Sequence, residues 1–349
     1  MIRKSYRISK PGSIKKLKLV SEELPLPQDH EVTIEIKSIG LNFADVFTVL
    51  GLYKAAPKRD FIPGIEFSGL VINKGDLVRE SEIGDRVMGV IKFGSFTTHL
   101  NIDQRYILKI PNDWTFDEGA SFIVNSLTAY YALTKLGNLQ FGQTVLIESA
   151  VGGVGLYANR IAKRFNAYTI GVIGNESKTD FAKSEGYDQI IVRDKYFKKN
   201  LIRALKDRTL DLALESIGGD VLKIKYDLLA PMGRMMIYGG ASFSTGKFSS
   251  NYFKLAANYL RRPKIDTLRI IEQNKTVSGF NLIWLYDKVE MLKEILAEVQ
   301  ELNLPKPFIG ERFPYDKLPD AVSKLKSGKT IGKIVVQVNR DNSYYEKRL

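Results

Sequence analysis

The amino-acid sequence predicts an α/β protein in which a doubly wound parallel sheet is inserted into a barrel-like domain. From about Val124 to Leu282, short apolar runs alternate with helical patterns, as in right-handed strand–helix–strand units. The first 120 or so residues instead contain extended segments separated by Gly, Pro and Asp turns. Near the end of the chain, the apolar segment KIVVQV predicts a strand that rejoins the first domain.

These patterns predict a barrel-like domain over residues 1–123 and 286–349, and a parallel-sheet domain over 124–285. The first domain has the extended segments HEVTIEIKSIG, FSGLVINKG, DRVMGVI and SFTTHLNI. The second has the strands TVLIES, YTIGVIG, QIIVRD, DLALES and RMMIYGG, then the helix SSNYFKLAANYLRR and the strand KTVSGFNL. An amphipathic helix, KVEMLKEILAEVQEL, and a short one around 321–325 precede the last strand. The final RDNSYYEKRL has the composition of an exposed tail.

Composition points to a soluble globular protein, since 349 residues with 44% hydrophobic content can form two sizeable cores. The chain has no cysteine, and its two histidines, His30 and His99, belong to no ligand cluster, so we expect no metal site. The sequence shows no signal-peptide pattern and no membrane-spanning run, so we expect a cytoplasmic location. The net charge of +13 is scattered without a nucleic-acid module, so we expect no nucleic-acid partner.

The segment VLIESAVGGVGLYANRIAKRF nearly matches the dinucleotide-binding fingerprint G-x-G-x-x-G. Ala150 stands at the first position, where its methyl group is tolerable if φ stays negative. The second glycine of the fingerprint lets backbone approach a pyrophosphate, and the third lets helix and strand pack closely. Such turns also occur as mere structure, but the position between a strand and a helix favours a cofactor site. Its expected residues are Ala150, Gly152, Gly153, Val154 and Gly155.

The end of the second strand of this domain bears on the choice between NAD and NADP. An acid that binds the ribose hydroxyls of NAD is expected there, but Gly174 and Asn175 occupy the place. Glu176 is nearby, so the exclusion of NAD is not complete. Lys178 and Arg193 lie where cations could pair with a 2′-phosphate, although each alone also fits a solvated surface charge. Together these residues favour NADPH.

Over nearly its whole length the sequence resembles the zinc-free quinone oxidoreductase branch of the medium-chain dehydrogenase/reductases, the branch of zeta-crystallin. It is most similar to the vesicle amine transport protein subgroup. The segments that carry the resemblance are GLNFADVFTVLGLYKAAP, PGIEFSGLV, GDRVMGV, FDEGASFIVNSLTAYYAL, VLIESAVGGVG, SGFNL and IGKIVVQV. The resemblance implies a GroES-like catalytic domain around an inserted Rossmann domain, with NADPH and substrate in a cleft between them.

The resemblance also implies site residues. The polar groups that the family places near the nicotinamide match Asn42, Tyr53 and Thr128, of which Asn42 and Tyr53 are the candidate catalytic residues. Asn42 could equally be a turn residue, Thr128 could start a helix, and Tyr53 could be a packed aromatic side chain. Besides the glycine-rich turn and the two cations, the residues expected to bind the cofactor are Asn42, Thr128, Tyr238, Gly239 and Lys333.

Zinc-dependent relatives carry Cys and His where this chain has Asn42 and, before Glu66, Ile65, so the resemblance implies catalysis without metal. Without a Lewis acid the substrate should need less polarisation. Quinones and enones meet this condition, because hydride addition gives them a delocalised anion.

Two alternatives to quinone reduction stay open. Tyr53 aligns with the proton donor of related enoyl-thioester reductases, which makes reduction of an activated carbon–carbon double bond the nearest competitor. A non-catalytic NADPH-binding interaction protein is the other. In each case we expect a homodimer joined through KTVSGFNL, where the family pairs and where an unpaired strand edge would be a liability.

Overall fold

The computed structural model describes residues 1–338, which form two units. One unit contains Met1–Val124 and the chain from Lys306 onward, and the other contains Asn125–Pro305. The first boundary lies one residue from the predicted position. The predicted tail RDNSYYEKRL lies outside the described residues.

The second boundary follows Pro305 instead of residue 285, which corrects the prediction. The helix over Val289–Glu301 belongs to the second unit, where its last turn and the residues just after it are bonded. The Lys135 Nζ donates to Glu298 at 2.6 Å, and Arg164 donates to the carbonyl of Asn303 at 3.0 Å. An amphipathic pattern shows that a helix buries one face, but it does not show against which sheet.

The described residues form fifteen strands and eleven α-helices. The strands are β1 (Ile2–Arg7), β2 (Lys18–Glu23), β3 (Glu31–Gly40), β4 (Glu66–Lys74), β5 (Arg86–Val90), β6 (His99–Asp103), β7 (Ile107–Lys109), β8 (Thr144–Glu148), β9 (Tyr168–Ile173), β10 (Gln189–Val192), β11 (Leu210–Glu215), β12 (Leu229–Ile237), β13 (Thr276–Gly279), β14 (Ile309–Pro314) and β15 (Lys333–Gln337). The helices are α1 (Phe43–Val49), α2 (Phe116–Gly119), α3 (Ile123–Tyr130), α4 (Gly153–Arg164), α5 (Thr179–Ser184), α6 (Phe197–Leu205), α7 (Asp220–Leu228), α8 (Tyr252–Leu260), α9 (Thr267–Glu272), α10 (Val289–Glu301) and α11 (Leu318–Lys326). None of these helices has both the length and the apolar character that crossing a membrane requires.

The first unit is built on a seven-stranded sheet in the order β14-β15-β3-β4-β5-β7, with β6 also paired to β3. Strand β15 pairs antiparallel with β3, placing Val336 opposite Ile39, so the last strand does rejoin the first domain as predicted. Helices α1 and α11 cover the core through Val46, Val49 and Leu318. Because its two chain segments share one sheet, this unit carries the second domain as an insertion.

The second unit contains a parallel sheet in the order β10-β9-β8-β11-β12-β13, which confirms the doubly wound fold class. All five residues of β8 are buried, as expected for a parallel strand covered by helices on both faces. The strand order reverses between β8 and β11. In open sheets of this kind, ligands bind beyond the carboxyl ends of the strands at such a reversal.

Strand β13 lies at one edge of this sheet and pairs there with β12 in the described part of the chain. It contains four of the eight residues of the segment KTVSGFNL, through which the sequence predicts a homodimer. Pairing with a second copy stays a prediction.

Candidate cofactor and active site

The glycine-rich turn connects β8 to α4, at the strand order reversal of the second unit. Glu148 ends the strand, and Ser149 adopts a positive φ of 55°. Gly152 then caps α4, which begins at Gly153. The first backbone N–H groups of a helix lack partners within the helix, so an anionic group can accept from them.

The glycines of this turn fulfil different steric roles. A Cβ on Gly152 would meet only the Ser149 carbonyl oxygen, at 3.2 Å, so the backbone is open on that side. A Cβ on Gly155 would lie 2.4 Å from the same oxygen, so only glycine lets α4 pack this close. A Cβ on Gly153 would lie 2.6 Å from the side chain of Asn125. The turn therefore fits a pyrophosphate, with open backbone at Gly152 and a helix held close behind it.

Alanine at the first fingerprint position is accommodated by the neighbouring strand. Ala150 is fully buried and has no positive φ, so the condition set by the sequence is met. Its methyl carbon lies 3.0 Å from where a Cβ on Gly171 of β9 would stand. The Tyr187 hydroxyl lies 2.9 Å from the carbonyl oxygens of both Ala150 and Gly155, and these hydrogen bonds hold the turn in place.

Arg193 lies against the end of β9, where the sequence places the adenosine end of the cofactor. Its backbone N–H donates to the carbonyl of Ile173 at 2.8 Å. Its Nη2 lies 3.2 Å from the position that a Cβ on Gly174 would occupy. The next residue, Asn175, accepts from the Ser177 N–H at 2.9 Å and so serves the turn.

Lys178 lies close enough to Arg193 for their charges to interact. Burial lowers the pKa of Lys178, and the charge of Arg193 lowers it further. Only 8% of Lys178 is exposed, so its interpretation as a solvated surface charge is wrong. The structure therefore places Arg193 against Gly174 and Lys178 within range of the charge of Arg193.

A buried charge network behind Arg193 was not predicted from the sequence. Glu148 accepts from Nη1 of Arg193 through Oε1 and from Nζ of Lys225 through Oε2, the latter at 2.5 Å. Lys225 also pairs with Oε2 of Glu215, and the side chains of Glu148, Lys225 and Glu215 are fully buried. The signal available in the sequence was an acid at the end of each of two buried neighbouring strands, since buried charges need partners.

Tyr238 and Gly239 follow β12 and lie beside the end of β11. The Tyr238 N–H donates to the Glu215 carbonyl at 3.0 Å, and its ring packs against Phe280 with centroids 6.0 Å apart. Burial raises the pKa of the Tyr238 hydroxyl. A Cβ on Gly239 would lie 2.8 Å from the Ser216 carbonyl oxygen, so this position needs glycine. Both residues therefore lie at the carboxyl edge of the parallel sheet, which is also the edge that carries the glycine-rich turn.

Thr128 is buried in α3 near the end of that helix, so it does not start one. Asn125 precedes it by three residues and so shares its face of the helix. Because Asn125 contacts Gly153, this face of α3 adjoins the start of α4. Asn125 is a site neighbour that sequence reasoning missed.

In the first unit, Asn42 and Lys333 meet at Glu66. The Lys333 Nζ donates to Oδ1 of Asn42 and to Oε2 of Glu66, each at 2.7 Å. Asn42 donates to Glu66 at 2.9 Å and to the Gly40 carbonyl at 3.3 Å. The other Glu66 oxygen accepts from the Val124 N–H at 3.0 Å. Two predicted cofactor residues are thus joined by an acid that the sequence interpretation did not assign to the site.

Asp45 lies next to this cluster at the start of α1. Its Oδ2 accepts the backbone N–H of Asn42 at 2.7 Å, and the side chain is fully buried. Burial raises the pKa of Asp45 to about 7, against the lowering effects of that hydrogen bond and of Lys333. An acid three residues after a helix-capping asparagine was the available signal.

Tyr53 follows α1 in an irregular segment and is half-buried. Its ring meets the edge of Phe93 with centroids 6.4 Å apart, and Phe93 also packs against Phe61. Tyr53 is thus a packed aromatic residue, and the role of its hydroxyl stays a prediction.

The residues at the place of a catalytic zinc do not fit that metal. The Asn42 and Glu66 oxygens that could face a cation already bind the ammonium group of Lys333. The chain has no cysteine, and residues 1–338 contain no group of three His, Asp or Glu side chains arranged around a metal. His99 lies elsewhere, with Nδ1 2.9 Å from Oγ1 of Thr98.

Comparison with known proteins identifies a related domain family for each of the two units. The sequence matches the family models of the alcohol dehydrogenase GroES-like domain over residues 28–112 and of zinc-binding dehydrogenases over 153–299. The human synaptic vesicle membrane protein VAT-1 homolog is 31% identical over 330 residues, covering 93% of this chain and 84% of that protein. A reducing polyketide synthase of Hypomyces subiculosus is 32% identical over 342 residues, covering 96% of this chain and 14% of that protein.

Solved structures share the fold over almost the whole chain. The human VAT-1 homolog-like protein superposes with a TM-score of 0.82 at 26% identity, covering 97% of this chain and 99% of that one. A mycobacterial protein in complex with NADPH gives 0.82 at 23% identity, and a quinone oxidoreductase of Pseudomonas syringae gives 0.80 at 24%. Each of these two covers 96% of this chain and 99% of the other.

Proposed function

The chain belongs to the medium-chain dehydrogenase/reductases, with the VAT-1 homologues, and on that basis we propose that it reduces quinones or related conjugated carbonyl compounds with NADPH and without a metal. The family binds nicotinamide cofactors, and the open backbone at Gly152 supports a pyrophosphate site in this chain. Bound NADPH would supply the hydride. The chain's own residues would bind the cofactor, orient it and hold the acceptor.

The observation that carries this proposal is the Lys333 ammonium group bound to both Asn42 and Glu66. It occupies the side-chain oxygens that would otherwise coordinate a metal ion, so these residues provide no Lewis acid to polarise a simple carbonyl group. A conjugated acceptor needs less polarisation, because the negative charge left by hydride addition spreads over several atoms. This supports quinones and enones over unactivated ketones and alcohols.

Asn42 is suited to orienting the nicotinamide. Its amide donates to Glu66 and to the Gly40 carbonyl, and its Oδ1 accepts from Lys333, which fixes the amide plane. A carbonyl oxygen has two lone pairs, so Oδ1 can accept one further N–H group, such as that of a nicotinamide carboxamide. The hydrogen bond from Lys333 holds Oδ1 of Asn42 in a fixed position from which it can accept the carboxamide N–H.

Reduction of an activated carbon–carbon double bond is the second candidate function. The relative in Hypomyces subiculosus is named a reducing polyketide synthase, and such an activity would need a proton donor beside the acceptor. Tyr53 has a ring fixed by Phe93 and carries a phenol, which supports this role.

Cofactor oxidation measured with a panel of acceptors tests both functions. Purified protein is mixed with NADPH and ortho-quinones, para-quinones, enones or enoyl thioesters, and the Tyr53→Phe variant is run beside it. Turnover of quinones that survives in Tyr53→Phe supports the first function. Turnover of enoyl thioesters that is lost in Tyr53→Phe supports the second.

Two controls complete the test. The Gly152→Val variant should be inactive with every acceptor, because its side chain would fill the pyrophosphate approach. Prolonged treatment with a chelator should leave the rate and the melting temperature unchanged, and a loss that zinc restores would contradict a metal-free reaction. Tight NADPH binding without turnover of any acceptor would favour a non-catalytic interaction protein instead.

A further inference from the structure

We propose that Glu148 is a positioning residue for cofactor choice: it holds the Arg193 guanidinium against Gly174, and the buried pair Lys225 and Glu215 balances its charge. The proposal rests on NADPH being the cofactor of the proposed function, but not on the identity of the acceptor. It assigns a role to a network that the reaction itself does not use.

Arg193 is held from two sides. Its backbone is bonded to Ile173, and its Nη1 donates to Oε1 of Glu148. The other terminal nitrogen, Nη2, is then directed to the end of β9, 3.2 Å from where a Cβ on Gly174 would be. The Arg193 side chain is 27% exposed, so a ligand at this strand end can reach it.

Glu148 can hold Arg193 only if the carboxylate tolerates complete burial. An isolated buried carboxylate is strongly disfavoured, whereas one that is paired and hydrogen-bonded is not. Lys225 supplies the partner at 2.5 Å and also bonds Glu215. Glu215 in turn accepts the N–H groups of Ile217 and Gly218, each at 2.6 Å. The network therefore contains two acids and two bases: three of the four carboxylate oxygens accept hydrogen bonds, and Oε2 of Glu215 forms an ion pair with Lys225.

This charge balance matters for phosphate binding. Glu148 alone would cancel the charge of Arg193 and weaken its attraction for an anion. Because Lys225 shares Glu148, the group formed by Arg193, Glu148, Lys225 and Glu215 is neutral, and Lys178 beside it adds one positive charge. A phosphate therefore meets a positive surface whose arginine is already ordered.

Prior ordering of the arginine increases affinity. A free arginine loses rotamer freedom when it binds phosphate, whereas a guanidinium held by Glu148 has already lost it. The 2′-phosphate occurs in NADPH and not in NADH, so the benefit applies to one cofactor only. Glu148 thus changes the ratio of the two affinities, which general stabilisation of the domain would not do.

A double-mutant cycle tests the proposal. Dissociation constants for NADPH and NADH are measured by calorimetry in the wild type, Glu148→Gln, Arg193→Ala and the combined variant. We expect Glu148→Gln to weaken NADPH binding about fivefold to tenfold, which corresponds to the partial loss of one charged hydrogen bond. The dissociation constant for NADH should change by less than about twofold. In the Arg193→Ala background, Glu148→Gln should cause no further loss of NADPH affinity, because it acts through Arg193.

Two further variants separate positioning from folding. Glu148→Gln alone leaves the network with one net positive charge, whereas Glu148→Gln combined with Lys225→Met keeps it neutral while Arg193 is released. The double variant should therefore lose at least as much selectivity as the single variant. Glu185→Gln breaks the Arg160–Glu185 ion pair in the same unit and should leave the ratio of the two affinities unchanged. Phosphorus NMR of bound NADPH should show the 2′-phosphate titrating at lower pH in the wild type than in the Glu148→Gln and Lys225→Met double variant, whose network carries the same net charge.

The outcomes are distinct. Equal losses for both cofactors, or a Glu148→Gln loss that persists without Arg193, would overturn the positioning role, as would equal affinities of the wild type for NADPH and NADH. If NADPH is preferred and the cycle behaves as expected but no quinone or enone is reduced, the proposed function fails while this inference stands.

Discussion

Lys333 and Glu66, which are 267 positions apart in the sequence, form a buried ion pair with Nζ 2.7 Å from Oε2. Only 4% of the Lys333 side chain and none of the Glu66 side chain is exposed. Strand β15 brings the lysine to the acid-bearing start of β4 through their common neighbour β3. The return of the chain to its first domain is thus what completes the Asn42 site.

Lys333→Met should destabilise the protein strongly. Removing one member of a buried pair leaves the other charge uncompensated, which typically costs about 3–5 kcal/mol. Denaturant unfolding measures the loss, and the exposed Lys329→Met serves as a control that should change stability by less than about 0.5 kcal/mol. Adding Glu66→Gln to Lys333→Met should recover part of the loss. Equal, small effects of both lysine variants would contradict the pairing.

Asp45 should make stability depend on pH between about 4 and 7. Burial raises its pKa from 3.8 to about 7, so in this range the folded protein keeps a proton that the unfolded chain has released. Its contribution is therefore complete below 3.8 and is lost as the pH rises through about 7. At about 1.36 kcal/mol per unit, the difference is about 4 kcal/mol at most.

Asp45→Asn provides the comparison for this pH dependence. The asparagine oxygen can still accept the Asn42 N–H, but the side chain does not titrate. The free energy of unfolding of the variant should therefore fall less than that of the wild type from pH 4 to pH 8. Parallel stability profiles would show that Asp45 is ionised throughout.

Gly152 and Gly155 should respond differently to substitution. Gly152→Val should fold and lose cofactor binding, since a Cβ there meets only the Ser149 oxygen and the side chain extends toward the pyrophosphate approach. Gly155→Ala should destabilise the domain, because its Cβ would lie 2.4 Å from backbone. Thermal melting and calorimetric titration separate the two effects. Retained NADPH affinity in Gly152→Val would place the cofactor elsewhere.

Local patterns were sufficient to predict the alternating units and the glycine-rich turn, because strand and helix periods are properties of short segments. They failed for α10, whose amphipathic pattern does not identify its partner sheet, so the domain boundary was placed too early. They also failed for Lys225. A lysine in the helical pattern DVLKIKYDL resembles a surface residue, and its acids lie 10 and 77 positions away, on β11 and β8.

The burial of Lys178 likewise could not be predicted from the sequence, and its role at the cofactor site stays a prediction. Its burial depends on elements that the segment GNESKTD does not contain. Arg193 was correctly placed near the same strand end, but the sequence does not show that Glu148 binds it. Pairing between distant residues is fixed by tertiary packing, which periodicity does not encode.

Lys178 should contribute directly to the preference for NADPH over NADH. Its charge interacts with that of Arg193, which lies against Gly174, where a 2′-phosphate would approach. Lys178→Met removes the charge while keeping most of the buried stem. A charged hydrogen bond contributes about 1.5–3 kcal/mol, so NADPH binding should weaken about tenfold or more, while NADH binding stays nearly unchanged. Lys183→Met, at an exposed position of α5, should change neither affinity.

Because burial lowers the pKa of Lys178, the wild type should lose NADPH affinity as the pH rises toward the ordinary lysine value of 10.5, and the Lys178→Met variant should not. The preference should also shrink as salt increases, since exposed parts of the site are screened. Equal losses for both cofactors in Lys178→Met would refute the assignment.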